Sequence, residues 1–356
     1  MKRIRDYGIT IGSLETGEKN LITDVKGVKV GHVTLKDGDI NTGVTAIIPH
    51  EGNIFKEKLY GAVQVINGFG KTIGTIQLEE LGTIETPIML TNTLNVGTVS
   101  QGLIKYMLSM NPDIGVKTGT INPIVGECND GFLNDIRGFH VTEEHVFESI
   151  KNASEDFLEG GVGAGTGMRC FGYKGGIGSS SRRIKIKDED YTLGALVLSN
   201  FGEKKDFVLN NQDIKSMINE NNNNMFLRNS GEDVENTLKK LEKGSIMMII
   251  ATDAPLLPRQ LKRVAKRSVV GITRLGSYLG NGSGDVVIAF STANKINHYE
   301  EKVSTEMKVI NENYIDYFFR GAAEAVEESV LNSLVAAENV IGRGGNECKS
   351  LSEELK

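Results

Sequence analysis

The most constraining feature of this chain is five unbroken apolar residues, Ile246-Met247-Met248-Ile249-Ile250, entered through Gly244-Ser245 from a strongly polar segment. An apolar run this short reads as a strand buried on both faces, which must lie inside a sheet that is itself covered on both sides. Similar β-rich stretches recur at Gly27–Val33, Val44–Ile48, Gly61–Ile66, Ala195–Leu198 and Asp285–Ser291, with the central one extending to Thr252. Between them, helical spacing is expected at Val96–Met110, Glu143–Glu155, Arg259–Arg267 and Tyr314–Val340. The mixture predicts an α/β or α+β fold without internal repeats. Glycines cluster at Gly160–Gly167 and Gly175–Ser181, where the backbone is expected to turn sharply or to approach another group closely.

The segment Lys204–Leu241 stands apart. It contains the run Asn219–Asn224 and few apolar anchors, and reads as an exposed connector, spanning 204–244, with one amphipathic helix at Val234–Leu241. At 356 residues the chain is long enough for a substantial core. A net charge of -6 argues against nucleic acid as a partner. Cys128, Cys170 and Cys348 are odd in number and widely spaced, which suggests neither a disulfide framework nor a thiolate metal site. The opening MKRIRDYGIT has no apolar run behind it, and no stretch is long and apolar enough for a membrane span. The expectation is a soluble cytoplasmic protein with no membrane partner.

Several familiar signals fail on their spacing. No G-x-G-x-x-G register exists between Gly160 and Gly178, because Thr166 or Met168 falls in the last place. Gly70-Lys71-Thr72 resembles the end of a phosphate loop, but Val65 stands where its first glycine belongs. His140 and His145 are five apart and would not share a helix face as ligands, and His32, His50 and His298 join no metal pattern. Neither metal nor cofactor is therefore expected. Arg259, Lys262, Arg263, Lys266 and Arg267 read as the solvated face of a helix.

With no Cys/His or Ser/His/Asp set, a hydrolytic base has to come from elsewhere, and a chain terminus is one source. Were Ser245 an N-terminus, its α-amine would titrate near ~7.7–8.0 and could accept a proton, as in threonine hydrolases that use their own terminal amine. Attack of the Ser245 hydroxyl on the Gly244 carbonyl, an acyl shift from nitrogen to oxygen and hydrolysis of the resulting ester would create that terminus.

The sequence also resembles the L-aminopeptidase/D-esterase and β-aminopeptidyl peptidase family, the DmpA-like or P1 family of self-processing hydrolases. The words that carry the resemblance are ITDVKGVKVGH (22–32), VGECNDGFLNDIRGFHVTEEHV (125–146), GGVGAGTGM (160–168), YKGGIGSSSR (173–182), KGSIMMIIATDAPLLPRQLKRVAKR (243–267) and NGSGDVVIAFSTAN (281–294). The resemblance implies a four-layer αββα sandwich of the DmpA/ornithine acetyltransferase type, cut into an α chain 1–244 and a β chain 245–356. It implies Ser245 as the nucleophile of both self-cleavage and turnover, supported by Ser283 and Asp285, with Asn200 as an oxyanion donor. Glu127 would receive the free amine of a small peptide, amide or ester. Whether the α-amine or Ser283 takes the proton stays open, with the carboxylate of Asp285 favouring the second route. Some members carry a tyrosine that assists the oxyanion, where this chain offers Asn129 and Phe132. The resemblance further implies a homo-oligomer, a tetramer of processed αβ units. The alternatives are an acyltransferase of the ornithine acetyltransferase type and an uncleaved, non-catalytic homologue.

Overall fold

The computed structural model describes residues 2–209 and 243–355. Strands β1 (Lys29–Asp37), β2 (Ile40–Ile48), β5 (Ile88–Asn92) and β6 (Ile124–Cys128) form a four-stranded sheet in the order β1-β2-β5-β6. A six-stranded sheet is built from β3 (Glu57–Gly68), β4 (Thr83–Ile84), β9 (Gly176–Ile186), β10 (Glu189–Asn200), β11 (Lys243–Thr252) and β12 (Gly282–Asn297), in the order β4-β3-β12-β11-β10-β9. The two-residue strands β7 (Arg169–Cys170) and β8 (Tyr173–Lys174) make a separate hairpin. Helices α2 (Val96–Met110) and α3 (Glu143–Lys151) cover the smaller sheet, whereas α4 (Pro258–Arg274) and α5 (Ile315–Val335) cover the larger. A short helix, α1 (Thr75–Glu80), packs beside β3. The layer order is helix, sheet, sheet, helix, the expected αββα sandwich.

Strand β11 shows why the apolar run is so restrictive. Its side chains alternate between two cores: Ile246, Met248 and Ile250 enter the one beneath α4 and α5, while Met247, Ile249 and Ala251 enter the one between the sheets. Both faces are dry, so a single polar replacement in the run would strand a polar group in one core or the other.

Five of the six expected strands lie within β2, β3, β10, β11 and β12, the sixth, Gly27–Val33, overlaps β1 from Lys29 onward, and α2 has the expected bounds. Helix ends differ. Helix α3 stops at Lys151, short of Glu155, because Ser154 bridges to Val30 of β1. Helix α4 continues past Arg267 to Arg274, burying Ser268, Gly271 and Ile272. Helix α5 ends at Val335 rather than Val340, since Val340–Ile341 pairs with Glu347–Cys348. The second glycine cluster is the start of strand β9, not a turn. Glycine is required there by proximity: a Cβ on Gly178 would lie 1.9 Å from the Ser329 carbonyl of α5.

Of the expected connector, the described part begins with one 3-10 turn, Lys204–Asp206, followed by buried Phe207 and Leu209. Phe207 stacks on Phe171 with ring centroids 4.8 Å apart, so these residues pack rather than lie exposed. The asparagine run and the helix expected at Val234–Leu241 lie outside the described residues. Among the described residues no helix is long and apolar enough to cross a membrane.

Candidate active site

Ser245 lies near the start of β11, where antiparallel register places it opposite Asn200 of β10 and parallel register places it opposite Gly284 of β12. Alternation puts Ser245 on the same face as Met247, and Asn200 on the same face as Leu198, which is the face between the sheets. Paired strands run about 4.8 Å apart, so the hydroxyl and the amide are lateral neighbours. At this end the two sheets separate around a cavity of about 470 Å³ lined by Ser245, Gly244, Asn200, Glu127, Lys71 and Arg169 among others. Gly244 fits only as glycine, because an added Cβ would lie 2.3 Å from the Asn200 carbonyl oxygen.

The Ser245 side chain is buried, and its Oγ makes no hydrogen bond among the described residues. The thiol of Cys128 approaches the Ser245 hydroxyl without reaching hydrogen-bond geometry and donates instead to the Leu198 carbonyl at 3.4 Å. Burial first, then the charge of Glu127, push that thiol well above the ordinary cysteine range, so it stays protonated. An unsatisfied buried hydroxyl costs about 1–3 kcal/mol. Here the residue that carries it lines the cavity wall.

Asn200 is held in one orientation. The backbone N–H of Arg169 donates to its Oδ1 at 3.0 Å, and its Nδ2 donates to the Asn129 carbonyl at 3.0 Å, leaving a second Nδ2 hydrogen for another acceptor. Asn129 and Phe132, which occupy the stretch where a tyrosine is found in some resembling proteins, both line the cavity wall.

Ser283 and Asp285 are both buried, and the Ser283 hydroxyl donates to Asp285 Oδ1 at 2.7 Å. Asn67 donates from its side chain to the Ser283 carbonyl, which fixes the backbone of the pair. Parallel register sets Ser283 opposite Gly244 and Asp285 opposite Ile246. Their side chains therefore belong to the face beneath α4 and α5, beside the Gly244–Ser245 junction, and the cavity lining includes neither.

Glu127 closes the other side. It is only 4% exposed, with Lys71 N–H donating to Oε1 at 2.9 Å and the Thr93 hydroxyl donating to Oε2. The loop carrying Gly70 brings this carboxylate toward β12: a Cβ built on Gly70 would be 3.6 Å from Glu127 Oε1 and 3.8 Å from the Gly284 Cα. Arg169 lies on the opposite flank, toward β10, its guanidinium 4.8 Å from the centre of the Phe132 ring. Lys71, Thr93 and Arg169 were not recognised as site residues from sequence. The Gly70-Lys71-Thr72 string and the residue directly after the GGVGAGTGM loop were the available signals.

The remaining candidates act elsewhere. His145 Nδ1 accepts from Thr142 N–H at the start of α3, His140 pairs with Asp135, and no cluster of three or more metal-ligating residues exists among the described residues. The basic face of α4 is engaged with Glu312 and Glu79 and with the Phe319 ring.

Comparison with known proteins gives consistent results. The model of peptidase family S58 matches residues 20–348. The chain is 36% identical to beta-peptidyl aminopeptidase BapA of Sphingosinicella microcystinivorans over 96% of this chain and 88% of that protein. It superposes on the PH0078 protein of Pyrococcus horikoshii OT3 with a TM-score of 0.88 at 52% identity, covering 99% of this chain and 97% of the other. It also superposes on the L-aminopeptidase D-Ala-esterase/amidase of Ochrobactrum anthropi, a prototype for the serine aminopeptidases with a variant of the Ntn hydrolase fold. That match has a TM-score of 0.86 at 34% identity, over 99% and 96% of the two chains.

Proposed function

The chain belongs to peptidase family S58 and is an aminopeptidase; on that premise we propose that it cuts itself between Gly244 and Ser245 and then removes amino-terminal residues from small peptides, amides or esters through an acyl-enzyme on Ser245. The observation that carries this reading is the Ser245 hydroxyl itself, buried and without a hydrogen bond among the described residues, on a residue that lines the cavity and pairs with Asn200.

In self-cleavage the Ser245 Oγ attacks the Gly244 carbonyl, the C–N bond breaks, and the nitrogen takes the proton. Water then hydrolyses the ester, giving a Gly244 carboxylate and a free Ser245 amine and hydroxyl. The products are an α chain 1–244 and a β chain 245–356. Because Gly244 lines the cavity next to Ser245, its acyl group occupies the place that a substrate acyl group takes in later cycles. Self-cleavage is the intramolecular form of turnover, and proximity supplies much of its rate.

In turnover Glu127 holds the substrate ammonium, which confines cleavage to amino termini. The spare Nδ2 hydrogen of Asn200 stabilises the oxyanion. The face occupied by Ser283 and Asp285 favours the new α-amine as the immediate base: Ser283 sits opposite Gly244, so its hydroxyl, already donating to Asp285, can accept from the ammonium as it forms. A cavity of about 470 Å³ suits a compact substrate better than a folded chain. The resemblance to self-processing relatives and the three buried free thiols support assembly as a tetramer of αβ units in a reducing cytoplasm.

The test is intact mass under denaturing conditions, with terminal sequencing and an aminoacyl-amide assay. The reading requires two fragments, one ending at Gly244 and one beginning Ser245-Ile246-Met247, and requires that Ser245→Ala stay intact and inactive. Hydrolysis by an uncut Ser245→Ala protein would refute it.

A further inference from the structure

Four charged side chains line the cavity: Lys71, Glu127, Arg169 and Glu203. Glu127 is committed to Lys71 N–H and Thr93. Arg169 is different. Among the described residues its guanidinium makes no ion pair and no hydrogen bond, and Glu203 on the same wall does not approach within ion-pair distance of it. The Arg169 group lies over the Phe132 face, which orients a planar guanidinium while leaving its N–H edge free. Half-buried fixed cations of this kind recognise carboxylates by paired N–H···O bonds.

Resting on the assignment of Ser245 and Glu127 above, we propose that Arg169 is a specificity-determining residue that binds a carboxylate of the substrate, so that the enzyme reads a zwitterion with its ammonium at Glu127 and its carboxylate at Arg169. The geometry is the reason. Glu127 reaches the site from the β12 flank and Arg169 from the β10 flank, with Ser245 between them. A short substrate anchored at both ends carries its scissile carbonyl across the hydroxyl. Lys71, whose ammonium lies over Phe69 at 4.4 Å, belongs to the Glu127 side and is not the carboxylate site. The carboxylate has two possible sources: the C-terminus of the departing residue, or an acidic side chain on the released one.

The experiment uses the processed full-length enzyme and two substrate pairs. One pair is an aminoacyl-alanine and its C-terminal amide; the other is an aspartyl and an asparaginyl anilide. The ratio of kcat/KM within each pair is read in wild type, Arg169→Met, Arg169→Lys and Lys71→Met. Ratios are used because the Arg169 backbone also holds Asn200. The expected result is a preference of roughly 10- to 100-fold for the acid in one pair, collapsing toward unity in Arg169→Met and partly kept in Arg169→Lys. Which pair shows it identifies the source. Hydrolysis without acid preference in either pair, a preference unchanged in Arg169→Met, or one lost only in Lys71→Met would each overturn the proposal while leaving the Ser245 mechanism standing. Absence of hydrolysis of every substrate by processed wild type would overturn both.

Discussion

Among the buried serines of the six-stranded sheet, the three of β9 and Ser245 of β11 have opposite surroundings. On edge strand β9, Ser179 donates to the Ala195 carbonyl at 2.7 Å, Ser180 to Asn20 at 3.0 Å and Ser181 to Asp24 at 2.6 Å. On central strand β11, Ser245 is equally inaccessible to bulk solvent, but its oxygen has no such partner, and the residue lines a cavity. Burial alone does not make a serine reactive. A hydroxyl whose hydrogen bonds are complete belongs to the scaffold, and the incomplete one beside an amide donor and a glycine carbonyl is the one we propose for acyl transfer.

The β9 group is part of a larger polar assembly. Arg182, fully buried, contacts Glu328 at 2.8 Å and Glu324 at 3.3 Å and donates to Ser180 at 2.7 Å, while Arg5 grips Glu328 through two bonds of 2.7 and 2.8 Å. This network ties the N-terminal segment and α5 to the sheet, on the face opposite the cavity.

The contrast can be tested from both ends. Ser245→Ala should abolish processing and reduce aminopeptidase turnover by at least about 10³-fold, while thermal unfolding occurs at or above the wild-type temperature because no hydrogen bond is lost. Arg182→Met should do the reverse, costing about 3–5 kcal/mol by leaving buried carboxylates short of a partner, with processing retained in whatever folds; denaturant unfolding measures it. Ser180→Ala should cost about 1–3 kcal/mol in the same assay and leave the fragment pattern unchanged. Loss of processing in Ser180→Ala would show that the two serine groups are not independent.

The smallest effect is on pH dependence. Burial would raise the Glu328 carboxyl, but the hydrogen bond from Arg5 and the charges of Arg182 and Arg5 outweigh it and hold the group below the ordinary carboxylate range. A carboxyl lowered in the folded state contributes stability that is fully present above its unfolded value and is lost as pH falls through the folded one. Melting temperature should therefore drop more steeply below about pH 4.5 in wild type than in Glu328→Gln; parallel slopes would remove this network from the account of acid sensitivity.

Much of this was legible from local chemistry. The strand at Ile246–Thr252, the glycine before Ser245 and the i, i+2 spacing of Ser283 and Asp285 are properties of short segments. The direction that pair faces is not. It follows from parallel register with β11, which sets Asp285 opposite Ile246, a pairing between residues far apart in sequence. The β9 serines were obscured because a Gly-Ser-rich string has the composition of a turn, and only packing against α5 makes it a strand. Helices α3 and α5 ran too long in expectation because periodicity does not register the strand pairings that end them.

The sequence by itself determined that a doubly buried strand begins at a Gly-Ser pair, that the chain is a layered α/β protein, and that its motifs resemble a self-processing aminopeptidase family. Tertiary structure decided that Ser245 and Ser268 lack hydrogen-bond partners while the β9 serines have them, that Glu127 and Arg169 both line the cavity at Ser245, and that Arg182 pairs with Glu328. The physical reason is range: propensity and alternation act between neighbours along the chain, whereas hydrogen-bond satisfaction and charge pairing depend on which distant segments the sheets and helices bring into contact.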